Sequence, residues 1–335
     1  SPGVTGTGCG NRLAAGADLV IGVGTRFQDF TTGSWTVFSA PGRRLLSINI
    51  HGYDAGKRGA QPLVSDARIA LEKISAALGS HRFADPDFAA REDWFRTTDA
   101  LFAAPQGNEL PTDAQVIGAV DRNTGKQSVV MCAAGTMPGA LHVLWRAAPR
   151  RSPIGNRLSR LWRAGAPGTY HMEYGFSCMG YEVAGAMGIK MAQPERDVVC
   201  MVGDGSYMMA NSELATAVMM GIPFTVVLTD NRGYGCINRL QQATGGAPFN
   251  NMLDDSHHVN ALHLDFVSHA KGMGANAVKV SDIAGLEAEM QRAKTATLPT
   301  VIVIDTDPAP GTGAGGHWWD VAVPDAAELR SNGGP

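Results

Sequence analysis

Charge of one sign, long apolar runs and paired cysteines are all scarce in this sequence of 335 residues. The net charge is −3 and no basic block is present, which argues against nucleic-acid binding. No apolar run reaches the roughly 18 residues of a membrane-spanning helix, and no leader resembling a signal peptide opens the chain. The five cysteines form no Cys-x-x-Cys pair, so we expect reduced thiols in a cytoplasmic protein and no zinc site.

What remains is the composition of a globular α/β protein. Hydrophobic residues make up 44% of the chain and charged residues 18%, enough apolar material for buried cores. The 41 glycines stand mostly at the ends of apolar runs, which is how α/β proteins mark the junctions between strands and loops. Because domains average roughly 150 residues, a chain of this length predicts two domains.

Residues 1–83 contain too few elements for a complete domain. Apolar runs at 18–24 and 44–50 are predicted strands, and apolar residues at helical spacing predict a helix over 66–78. An open parallel sheet usually has more than two strands. We therefore expect this segment to be the second half of a domain whose front half lies upstream of Ser1.

The next segment, 84–112, is predicted to be a linker with one helix near 88–101. Further on, 144–149 and 161–167 repeat the sequence Leu-Trp-Arg-Ala and each ends in proline. We interpret the region around 147–165 as an insertion in a surface loop.

A second domain is predicted over residues 113–310, followed by a C-terminal extension over 311–335. Within it, apolar runs alternate with helical patterns of roughly 10–15 residues. This alternation predicts a parallel sheet with helices on both faces, a three-layer α/β fold. The predicted strands are 128–132, 197–202, 224–229, 277–280 and 300–305, and the predicted helices are 178–192, 207–220, 260–272 and 282–295.

The most informative motifs follow two neighbouring strands of this domain. Gly203-Asp204-Gly205 comes directly after one apolar run, and Asp230-Asn231 follows the next. In a right-handed β-α-β unit both strand ends emerge at the same edge of the sheet, which is where open α/β sheets bind ligands. Asp204 and Asn231, 27 positions apart in the sequence, are therefore predicted to meet in space.

The residue types at this edge favour a metal and an anion together. Carboxylate, amide and carbonyl oxygens suit magnesium or calcium, and magnesium completes its coordination with phosphate oxygens and water. The backbone amides of Gly205 and Ser206 stand at a predicted helix start, where anions are favoured. Alone, Gly-Asp-Gly is equally typical of a β-to-α turn with a capping aspartate. Paired with Asp230-Asn231, it predicts a diphosphate site bridged by a divalent metal.

The paired motifs resemble the signature of thiamine-diphosphate-dependent enzymes. The resemblance implies that the Asp204 carboxylate, the Asn231 side chain and the Gly233 carbonyl bind Mg²⁺. It also implies that Gly203, Gly205, Ser206 and Tyr234 lie at the cofactor. The family often has two asparagines where this chain has Asp230-Asn231, a mild departure because the second position is the ligand.

Two further segments match cofactor-contacting elements of the family. Cys178 and Met179 precede a glycine at a predicted helix start, where the family places an apolar side chain between the two cofactor rings. A plain core methionine is the alternative interpretation of Met179. Gly135 and Thr136 follow a strand where the family contacts the diphosphate, and an ordinary loop is the alternative there.

Several segments resemble one branch of the family, the hydrolases that open a cyclic 1,2-diketone, trihydroxycyclohexane-dione, to 5-deoxy-glucuronate in myo-inositol catabolism. These segments are 30–34, 170–182 and 316–320. The resemblance implies a partial central Rossmann-like domain over 1–83 and a cofactor-binding domain over 113–310. The family's activating glutamate belongs to an N-terminal pyrimidine-binding domain absent from this sequence, so no catalytic residue is assigned.

The implied substrate is therefore a small cyclic diketone, and the implied assembly is a homo-oligomer of at least two chains, since the family builds its active site between subunits. Two alternatives stay open. One is another thiamine-diphosphate lyase, such as an acetolactate-synthase-like enzyme. The other is a truncated cofactor-binding module without activity of its own.

Overall fold

The computed structural model describes residues 2–81, 88–103, 105, 109–125, 127–145, 169–173, 176–243, 245–260 and 262–310. Two compact units are present, one within Ser1–Ala100 and the other within Leu101–Thr312. The whole predicted insertion at 147–165 and the second repeat copy lie outside the described residues. So do the 316–320 motif and the rest of the predicted C-terminal extension.

The first unit contains a three-stranded parallel sheet in the order β1-β2-β3. The third strand was not predicted, because it has only four residues and contains Pro62, which donates no backbone hydrogen bond. The strands are β1 Leu19–Val23, β2 Arg44–Asn49 and β3 Gln61–Val64, and the helices are α1 Gly8–Gly16, α2 Asp29–Thr32, α3 Gly52–Gly56, α4 Ala67–Leu78 and α5 Phe88–Leu101, with 3-10 turns at Thr36–Phe38 and Lys57–Gly59.

The second unit contains a six-stranded, fully parallel sheet in the order β5-β4-β6-β7-β9-β8, which confirms the predicted α/β parallel-sheet fold. In chain order its elements are α6 Asp113–Asn123, β4 Val129–Cys132, α7 Thr136–Leu144, β5 Tyr170–Met172, α8 Tyr181–Ala192, β6 Val198–Gly203, α9 Asp204–Met209, α10 Glu213–Met219, β7 Thr225–Asp230, α11 Gly235–Ala243, a 3-10 turn Leu253–Asp255, α12 Phe266–Gly272, β8 Asn276–Val280, α13 Ile283–Ala293 and β9 Thr300–Asp305.

The core of the second unit lies on the two faces of this sheet. Strands β4, β6, β7 and β9 are buried along nearly their whole length, as expected for parallel strands covered on both sides. Valine and isoleucine dominate them because β-branched side chains fit the pleated surface. The chain enters the unit through a capping box, in which Thr112 and Gln115 exchange hydrogen bonds at the start of α6.

Three details near the sheet edge differ from the sequence predictions. The helix predicted over 207–220 is two helices, α9 and α10. The helix predicted from 178 begins at Tyr181, because Gly180 has φ = +91° and cannot continue a right-handed helix. The long loop predicted after β7 contains α11, whose polar sequence has few apolar positions for a periodicity to reveal.

Candidate functional site

The register of β6 against β7 brings the two sequence motifs together. Gly203, the last residue of β6, pairs with Thr229, so both strands end at the same edge of the sheet. Asp204 begins α9 directly after β6, and Asn231 follows directly after β7. The backbone N–H of Gly233 donates a hydrogen bond of 2.8 Å to Asp204 Oδ2. The predicted meeting of these two segments is therefore confirmed.

Asp204 is a buried carboxylate with little to stabilise its charge. Only 7% of the residue is exposed. Burial raises the pKa of Asp204 to about 7 and the nearby Asp230 adds to the rise, while hydrogen bonds from the backbone of Gly205 and Gly233 oppose it. Burial also raises the pKa of Asp230. Two carboxylates this close favour a cation between or beside them.

The Asn231 side chain carries a second oxygen atom that could bind such a cation. Its Oδ1 atom is buried and accepts no hydrogen bond from the described residues. A buried amide oxygen without a donor costs free energy unless a ligand satisfies it. A hard divalent cation would do so, and the carboxylate, amide and carbonyl types of Asp204, Asn231 and Gly233 therefore fit Mg²⁺.

The loop after β7 is held by its own contacts. Arg232 has φ = +64°, and its guanidinium donates to Asp254 Oδ1 at 2.9 Å and contacts His263 Nδ1 at 2.6 Å. Gly233 has φ = +152°, and a Cβ atom there would lie 2.5 Å from the backbone oxygen of Asn251. Only glycine fits this position, which explains the glycine of the sequence motif.

Gly205 is required for a different reason. A Cβ atom at this position would lie 2.6 Å from the ring of Tyr234. The aromatic ring thus packs directly on the first turn of α9, beside Asp204. This contact places the predicted cofactor residues Gly205 and Tyr234 together, whereas Gly203 has open space at its Cβ position.

Gly135 and Thr136 form the start of α7, at the end of β4. Gly135 is exposed, with φ = +89°. The Thr136 hydroxyl accepts a hydrogen bond from the guanidinium of Arg239, which also donates to the Pro308 carbonyl oxygen. Arg239 lies on α11, the helix after the predicted metal-binding segment, and was not predicted as a site residue. Its charge opposes the effect of burial at Asp113, where the pKa is raised to about 6.

Cys178 and Met179 lie in the turn before α8. Cys178 is exposed, and its backbone N–H donates to Glu173 Oε2 at 2.8 Å. Met179 is half-buried and is followed by Gly180. The role of Met179 as a wedge between cofactor rings stays a prediction.

Glu182 is a site residue that sequence reasoning missed. It lies in the first turn of α8 and is 1% exposed. Its carboxylate accepts hydrogen bonds from the Ser206 hydroxyl at 2.8 Å, the Gly180 N–H at 3.0 Å and the Ala134 N–H at 3.1 Å. Its contacts join distant segments, and no spacing pattern in the sequence marks it.

These contacts also define how Ser206 takes part. Its hydroxyl donates to Glu182 and accepts from the Gly180 N–H at 3.0 Å. The side chain is therefore held by these two contacts, and anion binding by the Ser206 backbone N–H stays a prediction.

Within the described residues, no three His, Cys, Asp or Glu side chains are grouped to hold a metal ion. The candidate magnesium site is not a cluster of that kind, because it combines a carboxylate with an amide and a carbonyl oxygen. In the same described part of the chain, every helix is too short or too polar to cross a membrane.

Comparisons with known proteins agree with this geometry. Residues 154–304 match the family described as "Thiamine pyrophosphate enzyme, C-terminal TPP binding domain". Residues 1–74 match "Thiamine pyrophosphate enzyme, central domain". The two matches fall on the six-stranded and three-stranded units respectively.

The chain is also similar to curated full-length proteins named 3D-(3,5/4)-trihydroxycyclohexane-1,2-dione hydrolase. The protein of Bacillus licheniformis is 34% identical over 98% of this chain and 53% of its own length. Those of Halalkalibacterium halodurans and Bacillus subtilis are 35% and 32% identical, over 97% and 98% of this chain and 53% of their own lengths. The chain thus spans about half the length of these relatives. With both domain matches in sequence order and the paired motifs at one sheet edge, the chain belongs to the thiamine-pyrophosphate-dependent enzymes.

Proposed function

We propose that the six-stranded unit holds the diphosphate of thiamine diphosphate through Mg²⁺, as the cofactor half-site of an enzyme that hydrolyses a carbon–carbon bond. The observation that carries the proposal is at the end of β7. There the buried Asn231 Oδ1 has no hydrogen-bond donor among the described residues, beside a loop that is bonded to the buried Asp204 carboxylate.

Asp204, Asn231 and the Gly233 carbonyl would hold the metal, and each has a distinct task. Asp204 supplies the negative charge that attracts the cation, and the Gly233 N–H holds that carboxylate in place. Asn231 supplies a neutral oxygen. Gly233 accepts the strained backbone conformation that the loop requires.

The chain's other residues would bind and orient the cofactor. The backbone N–H of Ser206 and the start of α7 at Gly135 and Thr136 are suited to diphosphate oxygens, since helix starts favour anions. The Gly205 N–H already donates to the Asp204 carboxylate and would hold that metal ligand in place. The half-buried Met179 is suited to an apolar contact with the rings. When bound, thiamine diphosphate supplies the electron sink for carbon–carbon cleavage.

The relatives support the reaction class and the substrate. Their printed names state that they hydrolyse a trihydroxycyclohexane-1,2-dione. We therefore assign to the enzyme the opening of this cyclic diketone to 5-deoxy-glucuronate in myo-inositol catabolism. A homo-oligomer and a cytoplasmic location stay predictions from the sequence. Analytical ultracentrifugation of the purified chain tests the first.

The test of the half-site is calorimetric titration of this chain with thiamine diphosphate, with and without Mg²⁺. We expect binding that requires the metal and disappears in Asp204→Ala. Asp255→Ala, at an exposed aspartate on the 3-10 turn of the same unit, is the matched control and should bind like the wild type. Binding that is independent of Mg²⁺, or that persists in Asp204→Ala, would contradict the metal assignment.

The reaction is tested by adding the cyclic diketone to the cofactor-loaded protein and following its consumption. Pyruvate serves as the competing substrate, because an acetolactate-synthase-like lyase would consume it. Consumption of pyruvate with an unchanged diketone would contradict the assigned substrate and favour that alternative. Metal-dependent cofactor binding with neither substrate consumed would support the half-site and would identify this chain, which spans about half the length of its relatives, as a binding module without activity of its own.

A further inference from the structure

Glu182 connects three segments that are far apart in sequence. Its Oε1 atom accepts hydrogen bonds from the Ala134 N–H and the Ser206 hydroxyl, and its Oε2 atom accepts one from the Gly180 N–H. The lengths, from 2.8 to 3.1 Å, are those of well-formed hydrogen bonds. In every one of these contacts the carboxylate is the acceptor.

Each of the three segments carries residues assigned to the cofactor. Ala134 directly precedes Gly135 and Thr136 at the start of α7. Gly180 directly follows Cys178 and Met179. Ser206 lies in the first turn of α9. One side chain therefore links the parts of the half-site that come from the ends of β4 and β6 and from the turn before α8.

We infer that Glu182 is a positioning residue, whose carboxylate fixes these three segments at the spacing that thiamine diphosphate requires. The inference rests on the proposed function and deepens it. Glu182 lies behind the segments, 1% exposed, and acts through them. Its position in the first turn of α8 favours a negative charge, since the helix dipole is positive at that end.

The three contacts require a carboxylate rather than a glutamine amide. An amide has one accepting oxygen, and its NH₂ group would meet another donor. If the amide oxygen keeps the Ala134 and Ser206 contacts, the NH₂ group faces the Gly180 N–H and that contact is lost. Glu182→Gln therefore removes one of the two hydrogen bonds that the Gly180 N–H donates and leaves the one to the Ser206 hydroxyl, while changing the side-chain volume very little.

The decisive experiment measures the dissociation constant of thiamine diphosphate at saturating Mg²⁺ for the whole chain and its variants. The variants are Glu182→Gln, Glu182→Ala and Ser206→Ala, with Glu195→Gln at an exposed glutamate as the matched control. Titrations are run at a temperature where circular dichroism shows each variant fully folded, and melting temperatures are recorded separately. This separates positioning from stability, because a merely structural residue lowers the melting temperature without changing the affinity of the folded chain.

We expect about tenfold weaker binding in Glu182→Gln, where one bond to a charged acceptor is lost, and about hundredfold in Glu182→Ala. Ser206→Ala, which keeps the backbone N–H, should weaken binding by less than Glu182→Ala, and Glu195→Gln should bind like the wild type. Should Glu182→Ala fail to fold, Glu182→Gln and Ser206→Ala still decide the question.

Folded Glu182 variants that bind with wild-type affinity, whatever their melting temperatures, would overturn the inference while leaving the half-site intact. Failure of the proposed function gives a different result. In that case the wild-type chain itself would show no Mg²⁺-dependent binding, or Asp204→Ala would bind as well as the wild type.

Discussion

Replacing Asp204 with asparagine should make the metal-free chain more stable and at the same time remove its affinity for Mg²⁺. Both effects have one cause, a buried negative charge. Burial and the nearby Asp230 raise the pKa of Asp204 from 3.8 to about 7. Asparagine removes the charge, and its Oδ1 atom can still accept the hydrogen bond from the Gly233 N–H.

The pH dependence of the effect follows from the raised pKa. Between about pH 4 and pH 7 the folded chain retains a proton on Asp204 that the unfolded chain has released. Stability therefore falls as pH rises through this window, and the full cost is present above pH 7. One pKa unit corresponds to about 1.4 kcal/mol, so ionised Asp204 costs the metal-free chain about 4 kcal/mol. A change of this size corresponds to a melting temperature higher by on the order of 10 °C in Asp204→Asn at pH 8.

The assay is thermal unfolding followed by circular dichroism, with a chelator present, at pH 5 and at pH 8. We expect a large stabilisation by Asp204→Asn at pH 8, a smaller one at pH 5, and none in the control Asp255→Asn at an exposed position. Adding Mg²⁺ and thiamine diphosphate should raise the melting temperature of the wild type and of Asp255→Asn, but not that of Asp204→Asn. Metal-free Asp204→Asn that is less stable than the wild type at pH 8 would refute the reasoning, because it would mean that Asp204 stabilises the fold instead of serving a ligand.

The remaining predictions use other residues of the six-stranded unit. Burial raises the pKa of Asp113 to about 6, so Asp113→Asn should stabilise the chain at pH 7 by up to about 3 kcal/mol and change little below pH 4, as urea unfolding at both pH values would show. Gly205→Ala should weaken Mg²⁺-dependent cofactor binding at least tenfold, since a Cβ atom there meets the Tyr234 ring at 2.6 Å. Gly203→Ala, with open space at that atom, should leave the melting temperature nearly unchanged. Gly205→Ala should also lower the melting temperature, so equal melting temperatures of the two variants would contradict this packing argument.

The meeting of the two segments that contain Asp204 and Asn231 could be predicted, because it follows from the connectivity of the strands. Two consecutive apolar strands of a parallel sheet must end at the same edge. Residues placed directly after them, Asp204 and Asn231, therefore meet whatever the details of packing. Strands β6 and β7 themselves could be predicted from their long apolar runs, whereas the helices after them were predicted less well: 207–220 is two helices and α11 was missed.

Glu182 and Arg239 could not be predicted, because their roles depend on contacts between distant segments. Glu182 contacts a residue 48 positions earlier and another 24 positions later. Arg239 contacts Thr136, 103 positions earlier. In the sequence, each stands alone on a helix, with no spacing pattern to mark it. Helix α11, which carries Arg239, was itself missed.

The proposed half-site contains carboxylates that are buried or half-buried. Glu182, Asp204 and Asp230 lie in the elements around one sheet edge, yet their environments differ. Glu182 accepts three hydrogen bonds from the segments that carry the predicted cofactor residues. Asp204 is stabilised by fewer groups and its pKa is raised to about 7, while Asn231 beside it has a buried oxygen without a donor. The proposed cation would stabilise the Asp204 charge and satisfy the buried Asn231 oxygen, and Glu182 belongs to the framework proposed to hold these ligands.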